Sequence, residues 1–146
     1  MMDTCLLDTN ILLYLANAAA PEHAAAKASV TRMLASGDRL AVAPQVLFEF
    51  WSVATRPVSA NGLGWSVAQT HTAVDGFRSR FVALAEPPEV VDLWLDLVVS
   101  HELKGKRVHD AHLLATMKAN GLTRLLTFNA TDFPAESGFT ILTPVP

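Results

Sequence analysis

Four carboxylates in this 146-residue chain are placed where they could do chemistry together: Asp8, Glu49, Asp110 and Asp132. Asp8 ends the apolar run Cys5, Leu6, Leu7 and is followed by Thr9 and Asn10. A carboxylate buried without a partner is costly, so Asp8 belongs just past a strand's carboxyl end, where polar groups and ions can reach it. Glu49 sits among Phe48, Phe50 and Trp51 and, in so apolar a helix, also wants a partner. Asp110 follows the basic residues Lys104, Lys106 and Arg107, and Asp132 lies in a turn after Thr127, Phe128 and Asn129. Four such groups cannot share a small cleft as bare anions: repulsion protonates some of them, or a cation intervenes. Oxygen ligands with no thiolate and no organised histidine set favour Mg²⁺ or Mn²⁺. Ions held in that way suit phosphodiester hydrolysis, which makes nucleic-acid cleavage the leading inference. His109 and His112 flank Asp110, but no further ligand cluster supports zinc.

The elements that must position these acids can be read from periodicity and punctuation. Residues 5–7 form a first strand, Thr9 or Asn10 can cap a helix over 11–19, and Pro21 opens a second helix that runs to 36, before Gly37. Residues 39–43 read as a buried strand, and Pro44 begins a helix over 45–55 with Glu49 about one turn in. A loop over 58–64 precedes a helix over 65–78, a third strand over 81–85 and an amphipathic helix over 89–103. The helix over 108–120 starts near Asp110 and ends at Gly121, and a fourth strand over 123–128 leads into the turn over 129–134. Residues 140–143 can add an edge strand. Strands alternating with helices of this length imply right-handed crossovers and a mainly parallel sheet of four to five strands, with helices on both faces. Strand carboxyl ends then share one edge, and that topology brings these four acids toward it.

Composition sets the outer bounds. The length fits a single domain over 1–146, able to bury roughly two thirds of its unfolded surface. The chain is 51% hydrophobic and 17% charged, a balance that hints at apolar surface covered by a partner. No apolar stretch is long enough to span a membrane, because Asp8, Asp92 and Asp96 interrupt the candidates, and no signal peptide is evident. The lone Cys5 falls in an apolar strand, as an inert thiol would, and a reducing, cytoplasmic setting fits. A net charge of −3 argues against a constitutive, nonspecific grip on nucleic acid, yet two divalent cations would bring the balance to +1.

The ordered set of Leu7, Asp8, Thr9 and Asn10, then Glu49, then Val108, His109, Asp110 and Ala111, then Leu126, Thr127, Phe128, Asn129 and Asp132 resembles PIN-domain ribonucleases, in particular VapC-type toxins of toxin–antitoxin systems. The resemblance covers nearly the whole chain. It implies a three-layer α/β/α fold, Mg²⁺- or Mn²⁺-dependent endoribonuclease activity on RNA, a homodimer, and a cognate antitoxin that occupies the cleft. It also implies that Asp8 and Asp110 are core metal ligands, with Glu49 and Asp132 completing the site. Thr127 and Asn129 match the family's Thr-x-Asn pattern and would orient Asp8 or the scissile phosphate. Phe128 departs from the polar residue often found between them, which leaves substrate contacts in question. Asn10 and Arg107 complete the expected surroundings, Arg107 as a phosphate contact.

Other readings of the same stretches are weaker. A haloacid-dehalogenase-like phosphatase needs a second acid where Asn10 stands, and a receiver domain needs a strand-end lysine that is lacking. A dinucleotide-binding module needs a glycine-rich first turn, which Asp8, Thr9 and Asn10 do not supply. A non-catalytic module of the same fold would be expected to have lost acids. The main rival is a PIN-type RNA-processing nuclease without an antitoxin; the loop around Asn61 to Gly64 and the small size favour the toxin.

Overall fold

The computed structural model describes residues 3–145, so Met1, Met2 and Pro146 of the expected 1–146 domain lie outside the described residues. Five strands form one sheet: β1 (Thr4–Leu7), β2 (Arg39–Val42), β3 (Val82–Ala83), β4 (Arg124–Leu126) and β5 (Thr140–Leu142). Six α-helices connect them: α1 (Thr9–Ala16), α2 (His23–Ala35), α3 (Pro44–Thr55), α4 (Val67–Arg80), α5 (Val90–Ser100) and α6 (Arg107–Ala119). The strand order is β3-β2-β1-β4-β5 and every neighbouring pair is parallel. The chain therefore steps outward from β1 in one direction and returns on its other side at β4. That reversal opens a crevice at the carboxyl ends of β1 and β4, the place where open α/β sheets accept ligands.

Burial on both faces explains the central strand. Cys5, Leu6 and Leu7 are each fully buried, as the inner strand of a parallel sheet requires. Burial also pushes the Cys5 thiol up to about 11, so the inert reading of that residue holds. On α3 the buried residues Val46, Phe50 and Ala54 recur at four-residue spacing. Phe50 meets the Phe77 ring edge-on at 5.0 Å and the Trp65 ring at 6.2 Å. Helix α6 is more deeply set: Ala111, Leu113, Leu114, Ala115, Thr116 and Met117 are all buried. Gly121 follows its end at φ 73°, a left-handed turn that lets the chain enter β4 at once.

Several boundaries differ from the sequence expectation. Helix α1 starts at Thr9, two residues early, because Asp8 itself is the cap, where Thr9 or Asn10 was expected. It ends at Ala16, leaving Ala19 outside the helix. Helix α4 is displaced to Val67–Arg80 because Ser66 caps it, accepting from the Gln69 N–H at 3.1 Å. The third strand shrinks from five residues to two: Phe81 closes α4, while beyond Ala83 only the Leu84 N–H still reaches the sheet, at Val42 O. The fourth strand stops at Leu126; the Thr127 N–H still donates to Leu142 O on β5 at 2.9 Å, while its hydroxyl turns to Asp8. Among the described residues no helix is long and apolar enough to cross a membrane.

Candidate active site

Asp8 stands at the mouth of the crevice. Its backbone N–H still donates to Leu126 O on β4 at 3.0 Å, which fixes the strand end, and its side chain then caps α1. Oδ1 accepts from the Thr9 N–H at 2.7 Å. Oδ2 accepts from the Thr127 hydroxyl at 2.7 Å, with the Asn10 amide more distant at 3.5 Å. Thr127 is fully buried, and its hydroxyl is used completely. It donates once, to Asp8, and accepts twice, from Asn10 Nδ2 at 3.1 Å and from the Asn129 N–H at 3.0 Å. The Asn10 carbonyl oxygen accepts from the Phe128 N–H at 3.1 Å, so Asn10 staples β4's exit to α1.

Glu49 is reached from the same turn. The Thr9 hydroxyl donates to its Oε2 at 2.8 Å, and Gln45, one turn earlier on α3, donates to its Oε1 at 3.0 Å. Both carboxylate oxygens are thus held by neutral donors, and each retains a lone pair. Gln45 also donates to His109 O at 3.0 Å, which ties α3 to the residue preceding Asp110. Trp94 of α5 donates to Val108 O at 2.7 Å, so the first turn of α6 is fastened from two sides.

Asp110 lies partly buried in that first turn, and Asp132 is exposed in the short 3-10 turn Ala130–Asp132 after β4. The four acids lie in one electrostatic field. Asp110 is pushed up to about 6, first by burial and then by Asp132, Asp8 and Glu49, with Arg107 opposing. The Asp8 carboxyl is also raised, chiefly by burial, with hydrogen bonds from Thr127 and Thr9 acting against it and Glu49 and Asp132 reinforcing it. Among the described residues none of the four forms a salt bridge to Lys, Arg or His. No three His, Cys, Asp or Glu side chains among the described residues are gathered tightly enough to hold an ion as they stand, so the acids form an open cluster and not a closed cage. An all-oxygen donor set, free lone pairs and uncompensated negative charge nonetheless fit a hard divalent cation.

The remaining expected residues fall around this centre in different ways. Arg107 is the exposed first residue of α6, near enough to lower the Asp110 carboxyl. Asn129 is exposed; its backbone N–H serves Thr127, while its side chain has no hydrogen-bond partner among the described residues. His112 pairs with Glu86. Two residues that hold the centre were not singled out for it in the sequence. Thr9 was read only as a possible cap, and Gln45 only as the first helical residue after Pro44. The available signal was a Gln-x-x-x-Glu pair at one-turn spacing in an otherwise apolar helix.

A central parallel strand ending in a helix-capping carboxylate, a second acid after β2, a third opening α6 and a fourth after β4 define the class, and the sequence agrees: the chain belongs to the PIN domain family, which it matches over residues 5–134. Within that family its relatives are VapC-type proteins. It is 31% identical over 139 residues to Ribonuclease VapC24 of Mycobacterium tuberculosis, covering 91% of this chain and 90% of that protein. The fold resembles VapBC2 from Rickettsia felis, solved bound to a DNA fragment from its promoter, with a TM-score of 0.71 at 19% identity over 96% of this chain and 98% of that one. It also resembles VapBC-1 from nontypeable Haemophilus influenzae, with a TM-score of 0.69 at 18% identity over 96% and 97%.

Proposed function

We propose that this chain is an Mg²⁺- or Mn²⁺-dependent endoribonuclease that acts as the toxin of a toxin–antitoxin pair in the cytoplasm. The observation that carries the reading is the cluster of Asp8, Glu49, Asp110 and Asp132 in one field at the β1/β4 crevice, with no cationic partner among the described residues. The kinship with Ribonuclease VapC24 supports the same reading. Asp8 and Asp110 would hold the metal, with Glu49 and Asp132 completing or widening the site. When bound, the ion supplies activation of water and stabilisation of the leaving oxygen in phosphodiester cleavage.

The protein's own part is orientation. Thr127 and Asn10 fix Asp8, and Thr9 and Gln45 fix Glu49, so these two acids meet the substrate without a prior search of rotamers. Arg107, with Lys104 and Lys106 nearby, offers positive charge to RNA phosphates, and the Asn129 side chain is free to meet the substrate. An antitoxin segment has an apolar surface to cover: a cavity of about 450 Å³ between α3 and α4, lined in part by Leu47, Phe48 and Trp51, with Phe48 72% exposed. A homodimer belongs to the same reading, and the exposed Val91, Leu95 and Val99, spaced four apart along α5, provide apolar area for it.

The test is to induce the chain in cells and map new RNA ends, wild type against Asp8→Asn. Growth arrest with discrete cuts that vanish in the variant supports the toxin; discrete processing without arrest assigns an RNA-processing nuclease instead.

A further inference from the structure

Among the described residues, Gln45 is the side chain whose hydrogen bonds join the helix carrying Glu49 to the helix carrying Asp110. Its two N–H bonds go to Glu49 Oε1 and His109 O, each at 3.0 Å. Both partners can only accept, so the orientation of the amide is dictated and its carbonyl oxygen must face the other way. That oxygen, Oε1, is buried and has no hydrogen-bond partner among the described residues. Helices α3 and α6 are not otherwise packed side by side. A buried acceptor without a donor is disfavoured, and its persistence beside a charged site calls for a reason.

We propose that Gln45 is a positioning residue of the acidic centre: its amide couples the Glu49 carboxylate to the first turn of α6, so that Glu49 and Asp110 are presented to a divalent cation as one unit, and its unpaired oxygen receives a water ordered in the occupied site. The inference rests on the metal-dependent reading above and deepens it. Side chains that orient a ligating carboxylate change metal affinity by about 10- to 100-fold when removed. Gln45 has the geometry of such a group: it touches a candidate ligand directly and leaves that ligand's remaining lone pairs free. Thr9 holds the other oxygen of Glu49 in the same manner, so removing Gln45 leaves the carboxylate hinged on a single donor.

The test uses the purified full chain and Mn²⁺ as the probe. Mn²⁺ binding to wild type, Gln45→Met and Asp8→Asn is measured by calorimetry, alongside thermal unfolding and the kcat and KM for RNA cleavage. Gln45→Met keeps the side chain's length without its hydrogen bonds. The expected result is Mn²⁺ affinity and kcat lower by about tenfold or more, with KM for RNA changed less than threefold and the melting midpoint within a few degrees of wild type. Wild-type Mn²⁺ affinity and kcat in Gln45→Met, together with a large loss in Asp8→Asn, would overturn the role of Gln45 while leaving the metal site intact. Unchanged Mn²⁺ affinity in Asp8→Asn as well would instead remove the metal reading beneath it. A second measurement needs no variant: in NMR spectra of the wild type, the Gln45 side-chain NH₂ signals should shift on Mg²⁺ addition while those of exposed Gln69 stay in place. Gln45 signals that do not move would also refute the proposal.

Discussion

The Thr127 hydroxyl donates to Oδ2 of Asp8 at 2.7 Å, joining the exits of β4 and β1 across 119 positions of sequence. That bond decides how the crevice is organised, because the same hydroxyl also receives Asn10 Nδ2 and the Asn129 N–H. Thr127→Val keeps the shape and leaves three polar groups short of a partner. The expected stability loss in urea unfolding is about 2 kcal/mol, the scale of buried polar groups left unsatisfied. Because the Thr127 bond is one of the influences holding the Asp8 carboxyl down, its loss moves the acid limb of the pH–rate profile to higher pH. Thr127→Ser, which retains the hydroxyl, should restore the wild-type limb; a Val variant whose pH profile matches wild type would argue that the bond does not govern Asp8.

Asp110 gives the metal-free protein a stability that depends on pH. Its carboxyl rises from an ordinary 3.8 to about 6 on folding, so the folded chain holds this proton more tightly than the unfolded one. The contribution is full below about pH 4 and is lost as pH rises to about 6. Asp110→Asn removes that loss. In EDTA at pH 7 the variant should be more stable than wild type by about 1 kcal/mol, the gross effect being reduced by solvent around a partly exposed group. At pH 4 the two should nearly coincide. Urea midpoints measured across this range, with a gap that stays constant or widens toward acid, would show that neither burial nor the other three acids raises the Asp110 carboxyl on folding.

Phe50 separates the core from the chemistry. It is fully buried on α3, one residue after Glu49, with Phe77 and Trp65 packed edge-on against it. Phe50→Ala should cost about 3–5 kcal/mol in denaturant unfolding. Mn²⁺ binding per folded molecule should stay within a few-fold of wild type, because Thr9 and Gln45, not Phe50, grip Glu49. A loss below about 1 kcal/mol would mean that the aromatic cluster is looser than its ring geometry implies.

How much of this was legible in the sequence depends on the range of the interaction involved. The parallel α/β order followed from alternation of short apolar runs with helical periods, and the position of Asp8, Asp110 and Asp132 at strand ends or a helix start, with Glu49 further along the helix after β2, followed from that order. Pro44 at the head of α3 and Gly121 after α6 were local signals and held. What could not be read was set by partners distant in sequence. Residues 81–85 looked like a full strand, but an edge position beside β2 leaves only Val82 and Ala83 paired. Thr127 keeps one strand bond, from its N–H to Leu142 O, but its hydroxyl is committed to Asp8, a partner 119 positions away. The helix after Asp8 is expected from the sequence to be capped by Thr9 or Asn10, and Asp8 itself caps it, its own oxygen accepting from the Thr9 N–H. Gln45 carried one local mark, its one-turn spacing from Glu49; its second acceptor, His109 O, lies 64 positions away and could not be read.

The central claim is that Asp8 and Asp110 act together through a divalent cation to cleave RNA. Asparagine at position 8 still caps a helix well, and at position 110 it relieves repulsion, so neither substitution should unfold the chain. Cleavage of a structured RNA by purified wild type, Asp8→Asn and Asp110→Asn, each with Mg²⁺ or Mn²⁺ and again with EDTA, is the most direct measurement. The expected result is discrete cleavage by wild type with metal, none in EDTA, and a loss of at least about 100-fold in both folded variants. Cleavage at the wild-type rate by both variants, or by wild type in EDTA, would contradict it.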